Sequence, residues 1–188
     1  GDTTDLLVGG AGVDTLDYSA SNALVKVNLT NNTAAGGHAT GDSISGFENI
    51  IGSAGDDELF GNASANRIDG GAGADLIAGF LGADVLIGGT DFDLLDYRSS
   101  AAVSVNLTTN VVSGGFAAGD VISGFEDVSG GAGNDILVGN ATENNIDGGA
   151  GNDRIAGLGL GLNPGDTTDL LVGGAGVDTL DYSASNTL

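Results

Sequence analysis

Residues 52–96 divide into five blocks of nine: GSAGDDELF (52–60), GNASANRID (61–69), GGAGADLIA (70–78), GFLGADVLI (79–87) and GGTDFDLLD (88–96). Every block opens with glycine, carries Asp or Asn at its sixth place and puts Leu or Ile at its eighth. This is neither the 3.6-residue period of a helix nor the two-residue period of a long strand. It belongs to a chain that turns, runs briefly straight and turns again. A single block cannot bury its one Leu or Ile, but stacked blocks can, making an inner ladder from Leu59, Ile68, Ile77, Leu86 and Leu95. The period therefore predicts an all-β solenoid with parallel strands on successive coils; if two blocks make a coil, blocks eighteen residues apart lie on the same side.

The flanks carry the same theme in longer coils. VKVNL (25–29) and VSVNL (103–107) alternate with Val, Val and Leu on one face, the pattern of a half-buried strand. SISGFENII (43–51) and VISGFEDVS (121–129) each read as one further strand with an aromatic anchor. Glycine cuts every apolar run within four or five residues, so no helix is expected. Tyr18, Tyr97 and Tyr182 recur in LDY and are expected at rung edges.

Residues 1–24 return at 165–188 with one difference, Ala23 against Thr187. The chain is accordingly expected to be one continuous solenoid over 1–188. Residues 1–164 form a full tandem unit of two related halves, about 9–87 and 88–172, and 165–188 begin the next. Gly1 follows no signal-like segment, which suggests a piece of a longer polypeptide. An insertion at Leu158–Asn163, punctuated by Pro164, reads as a surface loop.

Composition narrows the function. Four Lys and Arg against 26 Asp and Glu give a net charge of -22, which repels nucleic acid and anionic membranes. A hydrophobic content of 40% argues against a permanently unfolded chain, so the acid must be neutralised, and bound cations can do it. No cysteine is present, which removes disulfides and thiolate sites. No apolar run approaches the roughly 20 residues that span a bilayer, so membrane insertion is not expected.

The turns offer the matching chemistry. In GGAGAD (70–75) glycines permit positive φ and expose carbonyls in a tight bend, which Asp75 closes with a carboxylate. Six to eight such oxygens suit Ca²⁺. One turn cannot supply them, but two stacked turns can. Asp57, Asp75 and Asp93 are spaced by eighteen residues, as are Asp135 and Asp153, so each set would line one side of the stack.

GGAGADLIA (70–78), GGAGNDILV (130–138) and GGAGNDRIA (148–156) resemble the GGxGxDxUx nonapeptide of the RTX, or haemolysin-type, calcium-binding repeats. The resemblance extends through the flanking GVDTLDYSAS and GFEN segments over nearly the whole chain. It implies a parallel β-roll with Ca²⁺ held between turns, type I secretion, and folding outside the cell. By position it makes Asp14, Asp57, Asp75, Asp84, Asp93, Asp135, Asp153 and Asp178 ligands, with Asp5 and Asp169 less regular because GDTTD departs from the glycine pattern. The turn carbonyls would come from Gly55, Gly71, Gly73, Gly82, Gly133, Gly149, Gly151 and Gly176. Asn66 and Asn144 take the aspartate place, implying a hydrogen-bonded ladder or weaker sites there. Asp91 replaces a turn glycine in GGTDFD and is expected to disturb the geometry at Asp93.

Plainer readings compete. Asp and Gly are ordinary turn residues, and one GGxGxD alone is more often a turn than a metal site; repetition in fixed register is what favours the metal. The glycine strings lack the following helix of a dinucleotide site, and DFDLLD lacks the central glycine and terminal Glu of an EF-hand. His38, the only histidine, reads as a solvated loop residue, and Asp56-Asp57-Glu58 as a solvated turn beside a ligand. The expected function is therefore non-enzymatic: a secreted calcium-binding repeat extending an adhesin, surface layer or filament, with neighbouring copies as partners. Alternatives are the C-terminal repeat region of a secreted protease, lipase or epimerase and, less favoured, an ice- or carbohydrate-binding face.

Overall fold

The computed structural model of the chain describes residues 4–157 and 169–183. There the chain forms short strands separated by glycine-rich turns. β1 (Leu6–Val8) and β2 (Thr15–Asp17) come first, followed by β3 (Lys26–Asn28), β4 (Thr33–Ala35) and β5 (Ser43–Ser45). β6 (Asn49–Ile51) leads into the regular blocks, which supply β7 (Glu58–Phe60), β8 (Arg67–Ala72), β9 (Leu76–Ala78), β10 (Val85–Thr90) and β11 (Leu94–Asp96). The second half repeats the sequence of events with β12 (Ser104–Asn106), β13 (Val111–Ser113), β14 (Val121–Ser123) and β15 (Asp127–Ser129). It continues through β16 (Ile136–Val138), β17 (Asn145–Asp147), β18 (Arg154–Ala156), β19 (Leu170–Val172) and β20 (Thr179–Leu180).

The strands make two faces. One is a ten-stranded sheet in the order β1-β5-β4-β3-β7-β9-β11-β15-β17-β19. The other joins two five-stranded sheets, β2-β6-β8-β10-β14 and β13-β12-β16-β18-β20, with β13 lying against β14. Within the blocks Leu59 pairs with Ile77, Ile77 with Leu95, and Ile68 with Leu86. Each partner is eighteen residues away, so two blocks do form one coil. The expected single ladder is thus two ladders, Leu59–Ile77–Leu95 on one face and Ile68–Leu86 on the other, because successive blocks alternate between faces.

The middle residue of almost every strand points inward, and these residues fuse into one core. Leu59, Ile68, Ile77, Leu86 and Leu95 are all fully buried. Burial of each is worth about 1.5–3 kcal/mol, and a strand of three residues supplies only one such side chain. Stability must therefore accumulate coil by coil.

Three expectations need correction. The parallel stacking is interrupted, because β3–β4 and β12–β13 pair antiparallel. SISGFENII and VISGFEDVS are each two strands, not one: Gly46 and Gly124, both at φ +68°, turn the chain from one face to the other. Tyr18 and Tyr97 do not cap rung edges but lie in the core, where their hydroxyls donate to Asp42 Oδ2 (3.0 Å) and Asp120 Oδ2 (2.9 Å). Burial pushes the Tyr97 phenol far above its ordinary range, so it serves as a neutral donor. Leu158–Asn163 and Pro164, the expected surface loop, lie outside the described residues.

The hairpins give the long unit a structural logic. From β2 the chain overshoots to β3, doubles back through β4 and β5 to sit beside β1, and returns to the opposite face at β6. It crosses between faces seven times from β2 to β11, an odd number, so the related segment that starts on one face in the first half starts on the other in the second. The first hairpin adds two strands to the ten-stranded face, and the second adds two to the opposite face. One half alone would leave one face longer than the other; two halves restore the balance.

Replacing Ile77 by Ala is expected to lower the unfolding free energy by about 2–5 kcal/mol. Leu81→Ala, in an exposed turn, should stay within about 0.5 kcal/mol. Chemical denaturation of both variants in calcium buffer measures the contrast.

Candidate metal centres in the turns

The turns stack along the two edges where the chain passes between faces. Each block aspartate uses one carboxylate oxygen to hold the turn one coil away. Asp75 Oδ1 accepts the Asp57 N–H (2.8 Å) and Asp93 Oδ1 accepts that of Asp75 (2.9 Å). On the other edge Asp84 Oδ1 accepts the Asn66 N–H (2.8 Å), and Asp120 Oδ1 accepts that of Asp84 (2.9 Å). In the second half Asp153 Oδ1 takes the Asp135 N–H (2.8 Å) and Asp178 Oδ1 that of Asp153 (3.0 Å). Asp169 joins despite its irregular context, accepting the Asn144 N–H at 3.1 Å.

This arrangement explains the glycine that opens each block. A β-carbon built at Gly70 would lie 2.2 Å from Asp75 Oδ2 and 2.5 Å from the Gly88 carbonyl oxygen of the next coil. Gly148 repeats the relation with Asp153 Oδ2 at 2.5 Å and the Gly173 carbonyl at 2.6 Å. Any larger residue would fill the space where carboxylate and carbonyl converge. The turn glycines Gly71, Gly73, Gly82, Gly149, Gly151 and Gly176 have positive φ, as expected. Gly55 and Gly133 do not; they are glycine because the backbones of Leu24 and Ala102 press against them, within 2.6 and 2.2 Å of a built β-carbon.

The second carboxylate oxygen separates the candidates. Oδ2 of Asp14, Asp75, Asp84, Asp93 and Asp153 is buried and accepts no hydrogen bond from the protein. Asp57 and Asp135, which the sequence places in the same class, are different. Asp57 Oδ1 accepts from Val25 N (2.7 Å) and Ser53 Oγ (2.7 Å), and its Oδ2 accepts from Ser53 N. Asp135 accepts from Val103 N (2.7 Å) and Gly131 N (2.7 Å). In both, the VNL coil donates to Oδ1 and the aspartate's own turn, four residues earlier, donates to Oδ2, so the protein itself satisfies them. Asp5, in exposed chain, offers its N–H to Asp42 Oδ1 at 3.1 Å.

Two amides and three acids complete the ladders. Asn66 Nδ2 donates to the Glu48 carbonyl oxygen (2.7 Å), and Asn144 Nδ2 to that of Glu126 (2.7 Å). An amide NH₂ thus supplies at these coils the positive partner that a cation supplies to a turn carbonyl, which bears out the hydrogen-bonded ladder. Glu48 Oε2 accepts the Asp14 N–H (3.0 Å), and Glu126 Oε2 accepts that of Asp93 (3.2 Å). Glu48, Glu126 and Asp120 escaped the nonapeptide reading because they fill ladder places without being in a nonapeptide. Their signal was the recurrence of GD and GFE in both halves. Asp91 adopts φ +85°, the conformation a glycine takes elsewhere, and the ladder passes through Asp93 undisturbed.

The electrostatics demand a counter-ion. All four cationic side chains are engaged at the surface, in Lys26–Glu58, Arg67–Asp69, Arg98–Asp96 and Arg154–Asp181 pairs. Without a metal, burial drives the carboxyl of Asp75 up to about 8, Asp93 to about 7 and Asp84 to about 6, against an ordinary value of 3.8. Neighbouring carboxylates add to the rise at each. No three acidic or histidine side chains converge among the described residues. An ion would therefore draw on carboxylates of stacked turns together with backbone carbonyls, an all-oxygen set suited to a hard divalent cation.

The family model of the RTX calcium-binding nonapeptide repeat matches residues 1–22, 42–77, 78–96, 129–159 and 165–186. The chain belongs to the RTX calcium-binding nonapeptide repeat family. No curated protein matches it. RTX repeats bind calcium, and this chain is a calcium-binding repeat region. The donor set fits: the buried Oδ2 atoms of Asp14, Asp75, Asp84, Asp93 and Asp153 are hard, anionic and lack a protein partner. Bound calcium would supply the positive charge that neutralises these carboxylates. These residues of the RTX repeat would hold it, while Asp57 and Asp135 hold the VNL coil.

Three outcomes follow. The raised carboxyls of Asp75, Asp84 and Asp93 bind protons in the folded chain that the unfolded chain has lost, so their contribution to calcium-free stability is fully present below about pH 4 and is lost as pH rises toward about 8. Thermal melts in chelator across that range check the sign. Asp75→Asn should weaken calcium binding about tenfold or more yet stabilise the chelated fold once pH passes about 8, where the carboxylate it replaces is ionised, buried and unpaired. Asp57→Asn should destabilise the fold with or without calcium, because an NH₂ would face the donors that Asp57 now accepts. Calcium titration calorimetry and paired melts separate the two.

Proposed function

We propose that this chain is a calcium-dependent rigid spacer, extending a secreted adhesin, surface layer or extracellular filament, and that its work is mechanical, not catalytic. The observation that carries this reading is the row of buried, unpartnered carboxylate oxygens in a protein whose cationic side chains are all engaged elsewhere. A low-calcium chain repels itself along both edges; millimolar calcium neutralises the edges and lets coils stack. Binding free energy becomes folding free energy. RTX repeats are typical of secreted proteins, and a calcium-poor interior with a calcium-rich exterior suits such a design. No helix among the described residues is long and apolar enough to cross a membrane. The return of residues 1–24 at 165–188 supports serial extension by neighbouring copies.

Circular dichroism and small-angle scattering during a calcium titration test the proposal. The β signal and a compact, elongated particle should both appear over the same calcium range and vanish in chelator. Full β signal and unchanged melting temperature in chelator would overturn it.

A further inference from the structure

The turns occur in two backbone states, and the second residue of each block tells them apart. In four turns that residue lies outside the positive-φ region, and its N–H donates to the sixth-place side chain of its own turn. Ser53 donates to Asp57, Asn62 to Asn66 (2.8 Å), Gly131 to Asp135 (2.7 Å) and Asn140 to Asn144 (2.9 Å). In the turns that end in the five aspartates with an unpartnered Oδ2, the second residue has positive φ instead. These residues are Gly10 (+103°), Gly71 (+106°), Phe80 (+69°), Gly89 (+133°) and Gly149 (+89°). The state is not written in the motif. GGAGND stands at both 130–135 and 148–153, yet Gly149 and Gly151 have positive φ whereas Gly131 and Gly133 do not. Positive φ at the second place thus marks a turn whose carboxylate is left for a cation, and the other state closes the turn on itself.

Glycine reaches positive φ without steric cost, and phenylalanine does not. The other non-glycine residues found there among the described residues are Asn32, Asp91 and Asn110, whose short polar side chains tolerate it. Phe80 needs another cause. We propose that Phe80 is a positioning residue for calcium at Asp84: packing of its ring against Phe60 and Phe116 holds the turn in the state that leaves Asp84 Oδ2 open to the ion. This rests on reading Asp84 as a calcium ligand, and it names what prepares that ligand.

The Phe80 ring lies 6.2 Å from that of Phe60, with the planes 30° apart, and 6.3 Å from that of Phe116, edge to face at 82°. Ring contacts of this kind are favourable beyond the area they bury, and they offset the backbone strain at residue 80. The partners come from separate segments. Phe60 ends β7, and Phe116 lies between β13 and β14. The aspartate itself is fixed: Asp84 is fully buried, its Oδ1 accepts the Asn66 N–H, and its own N–H donates to Asp120 Oδ1. Its Oδ2 accepts nothing and faces the opening glycine, 2.3 Å from a β-carbon built at Gly79. The closed alternative stands one coil away on the same edge, where the Asn62 N–H donates to Asn66 Oδ1. If residue 80 left positive φ, its N–H would turn onto Asp84 Oδ2 in the same way, and the turn would close without metal.

Native mass spectrometry of the full chain in calcium, which counts the ions bound, tests this. Asp84→Asn should hold one ion fewer than the parent chain. Phe80→Ala keeps a β-carbon but loses the ring, and should show the same loss. Phe80→Gly loses the ring equally but takes positive φ freely, so it should restore the parent count. A residue that served packing alone would give the two substitutions the same count. Phe116→Ala should also lose one ion, and adding Phe80→Gly to it should regain that ion, which keeps the test open if Phe80→Ala does not fold. A full count in folded Phe80→Ala or Phe116→Ala overturns the proposal, as does an ion lost from Phe80→Gly. A full count in Asp84→Asn overturns the ligand reading beneath it.

Discussion

One hydrogen bond organises the molecule: the backbone N–H of a turn donating to a carboxylate oxygen one coil further on. Asp57 to Asp75 and Asp75 to Asp93 show its simplest form, with a separation of eighteen residues. It fixes the register between coils at the turns, where the backbone has left the strand ladder. It also consumes one oxygen of each carboxylate and leaves the other buried beside a carbonyl of the next coil. The same contact therefore stacks the solenoid and prepares it for a cation. A fold held in this way is stable only when the second oxygen is answered, by a proton, an amide or a metal.

The sixth-place side chains fall into three groups. Asn66 and Asn144 meet the demand with an amide, donating to carbonyl oxygens that a cation would otherwise face. Asp57 and Asp135 meet it with donors from their own turns, Ser53 and Gly131, beside the Val25 and Val103 N–H groups of the adjoining coil. Asp14, Asp75, Asp84, Asp93 and Asp153 do not meet it at all. The VNL hairpins balance strand numbers between the faces, and their Val25 and Val103 N–H groups donate to Asp57 and Asp135.

Much of the candidate site was legible in residues 52–96. The sixth-place acid, the eighth-place aliphatic and the opening glycine each have a local cause, and repetition at a fixed period multiplies one such cause into a pattern. The equivalence of Asp57 with Asp75 was misleading for the same reason. Both occupy the sixth place and both take a backbone N–H from the adjoining coil on Oδ1, but the second oxygen differs: that of Asp57 accepts from Ser53 N four residues earlier in its own turn, and that of Asp75 accepts from nothing. The period records that a block has an acid, not which donors its turn aims at it. Glu48, Glu126 and Asp120 fall on the opposite side of that limit, since they share the ladder without sharing the motif.

The sequence by itself determined the coil. Nine-residue spacing dictates a turn and a short strand in every block, one aliphatic side chain to bury in each, and acidic turns with too few basic residues to balance them. Only the tertiary structure decided the exceptions, since those depend on contacts between segments tens of residues apart. The antiparallel hairpins, the burial of Tyr18 and Tyr97 on Asp42 and Asp120, and the alternation of the longer coil between faces all depend on which strand lies next in space. Local periodicity cannot encode that neighbour, because a strand of three residues looks the same whichever of its two edges is filled.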